Sequence, residues 1–119
     1  MNLLVVEDSD EVRQRLCQLL AAIPSLQIAQ SATLAAGIEQ LRQDPPDIVI
    51  LDLQLPDGDG VMLLKTSKRE FPATRVLVLT NHICRRRLCM EEGADCFFDK
   101  SLEFMALLDA VKERVRHAN

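Results

Sequence analysis

Ile48-Val49-Ile50-Leu51-Asp52 is a run of four branched apolar side chains closed by a carboxylate. Three further stretches have the same form: Leu3-Leu4-Val5-Val6 runs into Glu7-Asp8, Val76-Leu77-Val78-Leu79 into Thr80, and Cys96-Phe97-Phe98 into Asp99-Lys100. A strand with one wet face alternates apolar and polar residues. These runs do not, as expected of strands buried on both faces in a parallel sheet with helices on either side. In such sheets ligands bind beyond the carboxyl ends of the strands. The pattern therefore carries Glu7, Asp8, Asp52, Thr80 and Lys100 to one edge.

Segments of helical period separate the runs. Val12, Leu16, Leu19, Leu20 and Ile23 form one apolar stripe, with Asp8 and Glu11 spaced as a capping box and Pro24 as its stop. Leu26, Ile28 and Ala29 suit a half-exposed edge strand, and Leu34, Ile38 and Leu41 a second helix ended by Asp44-Pro45-Pro46-Asp47. Leu55-Pro56-Asp57-Gly58-Asp59-Gly60 reads as a loop, followed by a helix from about Val61 to Glu70. Between Thr80 and Gly93 only Ile83, Leu88 and Met90 supply a stripe, and Gly93 suits a helix C-cap. Leu102, Met105, Leu108, Val111 and Val115 mark a last helix, with Lys112, Arg114 and Arg116 toward its C-terminal end. The result is five βα units, and right-handed crossovers make them a doubly wound α/β three-layer sandwich.

A chain of 119 residues is long enough for one packed core and too short for two, so residues 1–119 are expected to form a single domain. A net charge of -4 argues against a nucleic-acid surface. No apolar stretch has membrane-spanning length and the N-terminus runs straight into a strand, so the expected location is the cytoplasm. Cys17, Cys84, Cys89 and Cys96 include no CxxC pair and are expected to be free thiols.

Three carboxylates in one pocket need a counter-charge, because two like charges about 4 Å apart repel by roughly 4 kcal/mol at an effective dielectric near 20. Lys100 supplies one positive unit, and an all-oxygen cluster suits a hard divalent cation, Mg²⁺, which takes one or two carboxylates, waters and a phosphate oxygen. One carboxylate is then free to be a nucleophile toward phosphorus. Asp52 is the expected acceptor, since it ends a central strand before a loop; Asp8 and Glu7 are expected metal ligands, and Thr80 and Lys100 groups that bind the phosphoryl oxygens.

These residues resemble the receiver domains of two-component response regulators over essentially the whole chain. The acidic pair Glu7-Asp8, the Asp52-Leu53-Gln54-Leu55-Pro56 motif followed by Gly60, Thr80 at a strand end, and Lys100 after Gly93-Ala94-Asp95 stand in the family's order and spacing. The resemblance implies a flavodoxin-like sheet of order 2-1-3-4-5. It implies phosphorylation of Asp52 by a sensor histidine kinase or a histidine phosphotransfer protein, and output through altered contacts with a downstream protein. It also implies a metal ligand in the Gln54 backbone carbonyl, a switch made of Thr80 and the aromatic Phe97, and a partner surface that includes Arg85, Arg86 and Arg87. Such a domain modifies itself and is not a turnover enzyme. With no output domain after the last helix it is expected to act alone or pass the group on; the alternative is the receiver part of a longer DNA-binding transcriptional regulator.

Some positions depart from the family pattern. Asn81 follows Thr80 where a small residue is usual, Ser101 stands where proline is common, and Phe97 lacks the hydroxyl of tyrosine. The stretch from Thr80 to Gly93 is about two residues shorter than the resemblance leads one to expect. A haloacid-dehalogenase-type phosphohydrolase would need an aspartate where Gln54 stands, and an EF-hand would put Leu55 and Thr66 at ligand positions. His82 and His117 lie in no catalytic or metal-binding pattern.

Overall fold

The computed structural model describes residues 1–117; the last two positions of the expected 1–119 domain lie outside the described residues. Strands β1 (Asn2–Val6), β2 (Gln27–Ser31), β3 (Ile48–Leu51), β4 (Arg75–Thr80) and β5 (Cys96–Asp99) form one sheet. They pair in parallel in the spatial order 2-1-3-4-5, as expected. Helices α1 (Asp10–Ala21), α2 (Leu34–Gln43), α3 (Val61–Glu70) and α4 (Arg86–Glu91) fill the four crossovers, and α5 (Phe104–His117) follows the last strand.

The unbroken apolar runs follow from the pleat, which sends successive side chains to opposite faces. Leu4, Val6, Val49, Leu51, Val76, Val78 and Phe97 pack with Leu41 of α2, Leu63 and Leu64 of α3 and Cys89 of α4. Leu3, Val5, Ile48, Ile50, Leu77 and Leu79 pack with Leu16 and Leu20 of α1 and with Leu107, Leu108 and Val111 of α5. Both faces are covered, so neither alternation can be polar. Edge strand β2 is covered less: Gln27 and Gln30 are exposed, and Ile28 and Ala29 are only half-buried. The four cysteines are free thiols.

Several local expectations change. The α1 cap is Ser9, whose Oγ accepts from the Val12 amide at 3.3 Å, so the Asp8 and Glu11 capping box does not form. Leu19 lies outside the buried stripe of α1. Leu102 is 84% exposed and Met105 59% exposed, and neither belongs to the packed face of α5. For Leu102 the cause is Asp99, whose Oδ1 accepts from the amides of Ser101 at 2.8 Å and Leu102 at 3.3 Å and folds that segment into a turn before α5. The stretch expected to be only loop contains a small antiparallel ribbon, Gln54–Leu55 against Gly58–Asp59. The short span after Thr80 holds a 3-10 turn, Ile83–Arg85, and the six residues of α4. Gly93 follows α4 at φ +100°, where a side chain would be strained, and its amide donates to the Met90 carbonyl at 3.1 Å.

Gly60 brings the ribbon back against the end of β3. Its amide donates to Leu53 O at 2.7 Å, and a Cβ there would lie 2.4 Å from Asp52 O and 2.8 Å from Leu53 Cα. Backbone cannot yield as a flexible side chain does. Gly60→Ala should therefore lower unfolding stability by about 3 kcal/mol in urea titrations; an alanine variant as stable as the parent would show that the approach is looser than described.

Candidate phosphoacceptor and metal site

The sheet ladder continues past the strand ends and fixes the backbone of the site. Glu7 N donates to Ser31 O at 3.0 Å, Asp52 N to Val6 O at 3.0 Å, and Lys100 N to Thr80 O at 2.9 Å. Residues far apart in sequence thereby stand side by side. Glu7, Asp8 and Asp52 each offer a carboxylate oxygen, and these atoms lie within 4.8 Å of one another. Glu7 is 3% exposed and Asp52 6%, whereas Asp8 is open to solvent.

Lys100 reaches this group from the β5 side. Its Nζ is 2.6 Å from Glu7 Oε1 and 3.2 Å from Asp52 Oδ2. Ser9 N donates to Glu7 Oε2 at 3.1 Å, and Arg13 Nη1 donates to the Glu7 carbonyl at 2.8 Å, which anchors the acidic turn to α1. Burial raises the Glu7 carboxyl to about 7, helped by the Asp52 charge and opposed by the Lys100 and Ser9 hydrogen bonds. Burial alone would lower the Lys100 ammonium, but Glu7 and Asp52 outweigh it and hold the proton more tightly than usual.

Thr80 is fully buried, and its Oγ1 accepts from the His82 amide at 3.2 Å. Gln54 directly follows the site, with its amide 3.4 Å from Asp52 Oδ1. Phe97 belongs to the packed core, its ring 5.2 Å from the Arg86 guanidinium carbon. Each of the three arginines pairs with a different carboxylate: Arg85 with Asp59, Arg86 with Glu103, and Arg87 with Glu91.

Several positioning contacts leave no local signal in the sequence. Asp57 accepts from the amides of Leu34 at 2.7 Å and Ala35 at 2.9 Å and ties the ribbon to the start of α2. Asp95 accepts from the Val76 amide at 2.8 Å and from Lys68 Nζ at 2.7 Å, pinning β5 to β4. His82, passed over as patternless, has Nε2 2.7 Å from Gln54 Oε1. The partners are 23, 19 and 28 positions away along the chain, beyond any local pattern.

A family model, the response regulator receiver domain, matches residues 3–112. The chain belongs to this family. Receiver domains of two-component systems typically carry an aspartyl phosphate and bind Mg²⁺ at an acidic pocket, and the oxygen-only donor set of Glu7, Asp8 and Asp52 suits such an ion. The DNA-binding transcriptional activator DevR/DosR of Mycobacterium tuberculosis is 29% identical over 95% of this chain and 54% of its own length. Protein-glutamate methylesterase/protein-glutamine glutaminase 1 of Carboxydothermus hydrogenoformans is 33% identical over 98% of this chain and 36% of its own. The chain thus spans about half or less of these curated relatives. In fold it is similar to a CheY-like receiver domain protein from Methanospirillum hungatei, with a TM-score of 0.87, 21% identity, and coverage of 98% of this chain and 94% of that one.

In metal-free buffer the receiver site has a definite pH signature. Folded Glu7 keeps its proton up to about pH 7, whereas an unfolded glutamate loses it near 4.5. Its contribution is full below 4.5 and is lost as pH rises through 7. With EDTA present, unfolding stability of the parent should fall relative to Glu7→Gln across that window; parallel pH profiles for the two proteins would refute the buried, protonated Glu7.

Proposed function

We propose that this chain is a phosphorylation-controlled switch in which Asp52 accepts a phosphoryl group from a sensor histidine kinase or a histidine phosphotransfer protein. The observation that carries this reading is the Lys100 ammonium held between Glu7 and Asp52, with Asp8 completing the acidic cluster. Mg²⁺, held by Glu7, Asp8, Asp52 and the Gln54 backbone carbonyl, would neutralise the charge of the incoming group. A carboxylate oxygen of Asp52 attacks phosphorus, forming a P–O bond as the P–N bond to the donor imidazole breaks. Lys100 steadies the acceptor and then the new phosphoryl oxygens. Thr80 lies one strand away and supplies a hydroxyl once it leaves the His82 amide.

Phosphorylation adds about 1.5 to 2 negative charges, enough to redraw the hydrogen bonds around Thr80 and, through β5, the packing of Phe97. Output is a change of protein contacts, and the domain performs no turnover chemistry of its own. Neither nucleic acid nor a membrane is a partner of this domain. The net charge of -4 supports the first statement, and no helix among the described residues is long and apolar enough to cross a membrane. The cytoplasm is the proposed location. A second reading, the receiver part of a longer DNA-binding regulator, is supported by the relative named as a DNA-binding transcriptional activator, of which this chain spans 54%.

Intact mass spectrometry after incubation with acetyl phosphate and Mg²⁺ should find one added phosphoryl group in the parent and none in Asp52→Asn or in EDTA. Modification that persists in Asp52→Asn would overturn the assignment. Mg²⁺ at millimolar concentration should also raise the thermal midpoint of the parent and raise that of Asp8→Asn less, since a ligand bound only by the folded form stabilises it.

A further inference from the structure

The loop that follows Thr80 is tied to the ribbon after Asp52 by three hydrogen bonds. Arg85 Nη1 and Nη2 donate to Asp59 Oδ1 and Oδ2 at 2.9 and 2.8 Å, a two-pronged fork, and His82 Nε2 lies 2.7 Å from Gln54 Oε1. The four residues line one cleft of about 320 Å³ together with Leu53 and Gly58. The two sides of this cleft differ in freedom. Asp59 is held on the α3 side: its Oδ1 also accepts from Val61 N at 3.0 Å at the start of α3, and the adjacent Gly60 is pressed onto the end of β3. Opposite it, residues 81–85 form a short span between Thr80 and α4, with Thr80 Oγ1 held by the His82 amide.

We propose that the Arg85–Asp59 fork is a brake on the Thr80-bearing loop, made in the unphosphorylated arrangement and broken when Thr80 moves to the phosphoryl oxygens. This rests on the reading of Asp52 as phosphoacceptor. On that reading Thr80 Oγ1 leaves the His82 amide, and the residues that follow it shift along with it. A loop anchored at Arg85 to a carboxylate that also caps the start of α3 cannot follow without opening the fork, because two parallel N–H···O bonds tolerate little change of angle. A contact present in one state and absent in the other shifts the balance between them by its full worth. Arg85 and Asp59 are thus positioning residues that touch no reacting atom. For a partly exposed pair the shift is about two- to fivefold.

The test measures calorimetric affinity for beryllofluoride, a tetrahedral stand-in for the phosphoryl group, in excess Mg²⁺. The proteins are the parent, Arg85→Gln, Asp59→Asn and the double variant, with Asp52→Asn as blank. Asp59→Asn keeps an oxygen for the Val61 amide, and Arg85→Gln leaves that cap untouched, so both should fold, as thermal melts would verify. Each single variant should bind beryllofluoride about two- to fivefold more tightly than the parent. The double variant should gain no more than either single one, as for two halves of a single contact. Unchanged or weaker binding in the single variants, or gains that multiply in the double, would overturn the brake. A parent that binds no beryllofluoride would overturn the phosphoacceptor reading and the brake with it; a parent that binds, with variants that match it, would overturn the brake alone.

Discussion

The ammonium of Lys100 is the contact on which the site depends. It stands 2.6 Å from Glu7 and 3.2 Å from Asp52, in a place where those two carboxylates are almost sealed from water. Desolvation would otherwise neutralise them or drive them apart. One ammonium cannot balance three carboxylates, however, and burial, with the Asp52 charge adding to it, raises the Glu7 carboxyl. The pocket is therefore poised for a further cation, and Asp8, on the open side of the cluster, faces the solvent from which one would come.

This arrangement depends in turn on the sheet. Parallel strands all deliver their carboxyl ends to one edge, and the ladder bonds from Glu7, Asp52 and Lys100 extend the register by a residue beyond each strand. Side-chain positions are thus set by backbone geometry and by two apolar layers on either face. The loops are held by other means: Asp57 at the start of α2, Asp59 at the start of α3, and Asp99 in the turn before α5. Each uses a short carboxylate to satisfy backbone amides that no ladder reaches.

The parts legible in the sequence were those governed by local pattern. Strands buried on both faces leave unmistakable runs, and α3 spans Val61–Glu70 as expected after the Pro- and Gly-rich loop, with Gly60 before it. The residues ending those strands followed directly, since topology alone brings Glu7, Asp8 and Asp52 together. What was not legible depends on contacts distant in sequence or on competition between neighbours. Ser9 prevailed over Asp8 as the α1 cap by placing its oxygen at the Val12 amide, and the Asp99 turn removed Leu102 from an apparently helical stripe. The separate carboxylate partners of Arg85, Arg86 and Arg87 are likewise distant or set by local turns, since the 3-10 turn ends at Arg85 and α4 begins at Arg86.

The central claim is that the acidic cluster gathers a single divalent cation beside Asp52. Substoichiometric Mn²⁺, a paramagnetic substitute for Mg²⁺, tests it through the broadening of backbone amide signals. The account predicts that broadening centres on Glu7, Asp8, Asp52 and Gln54, extends to Thr80 and Lys100, and is reversed by excess Mg²⁺. Broadening spread over other acidic surfaces, or absent from those residues, would contradict it.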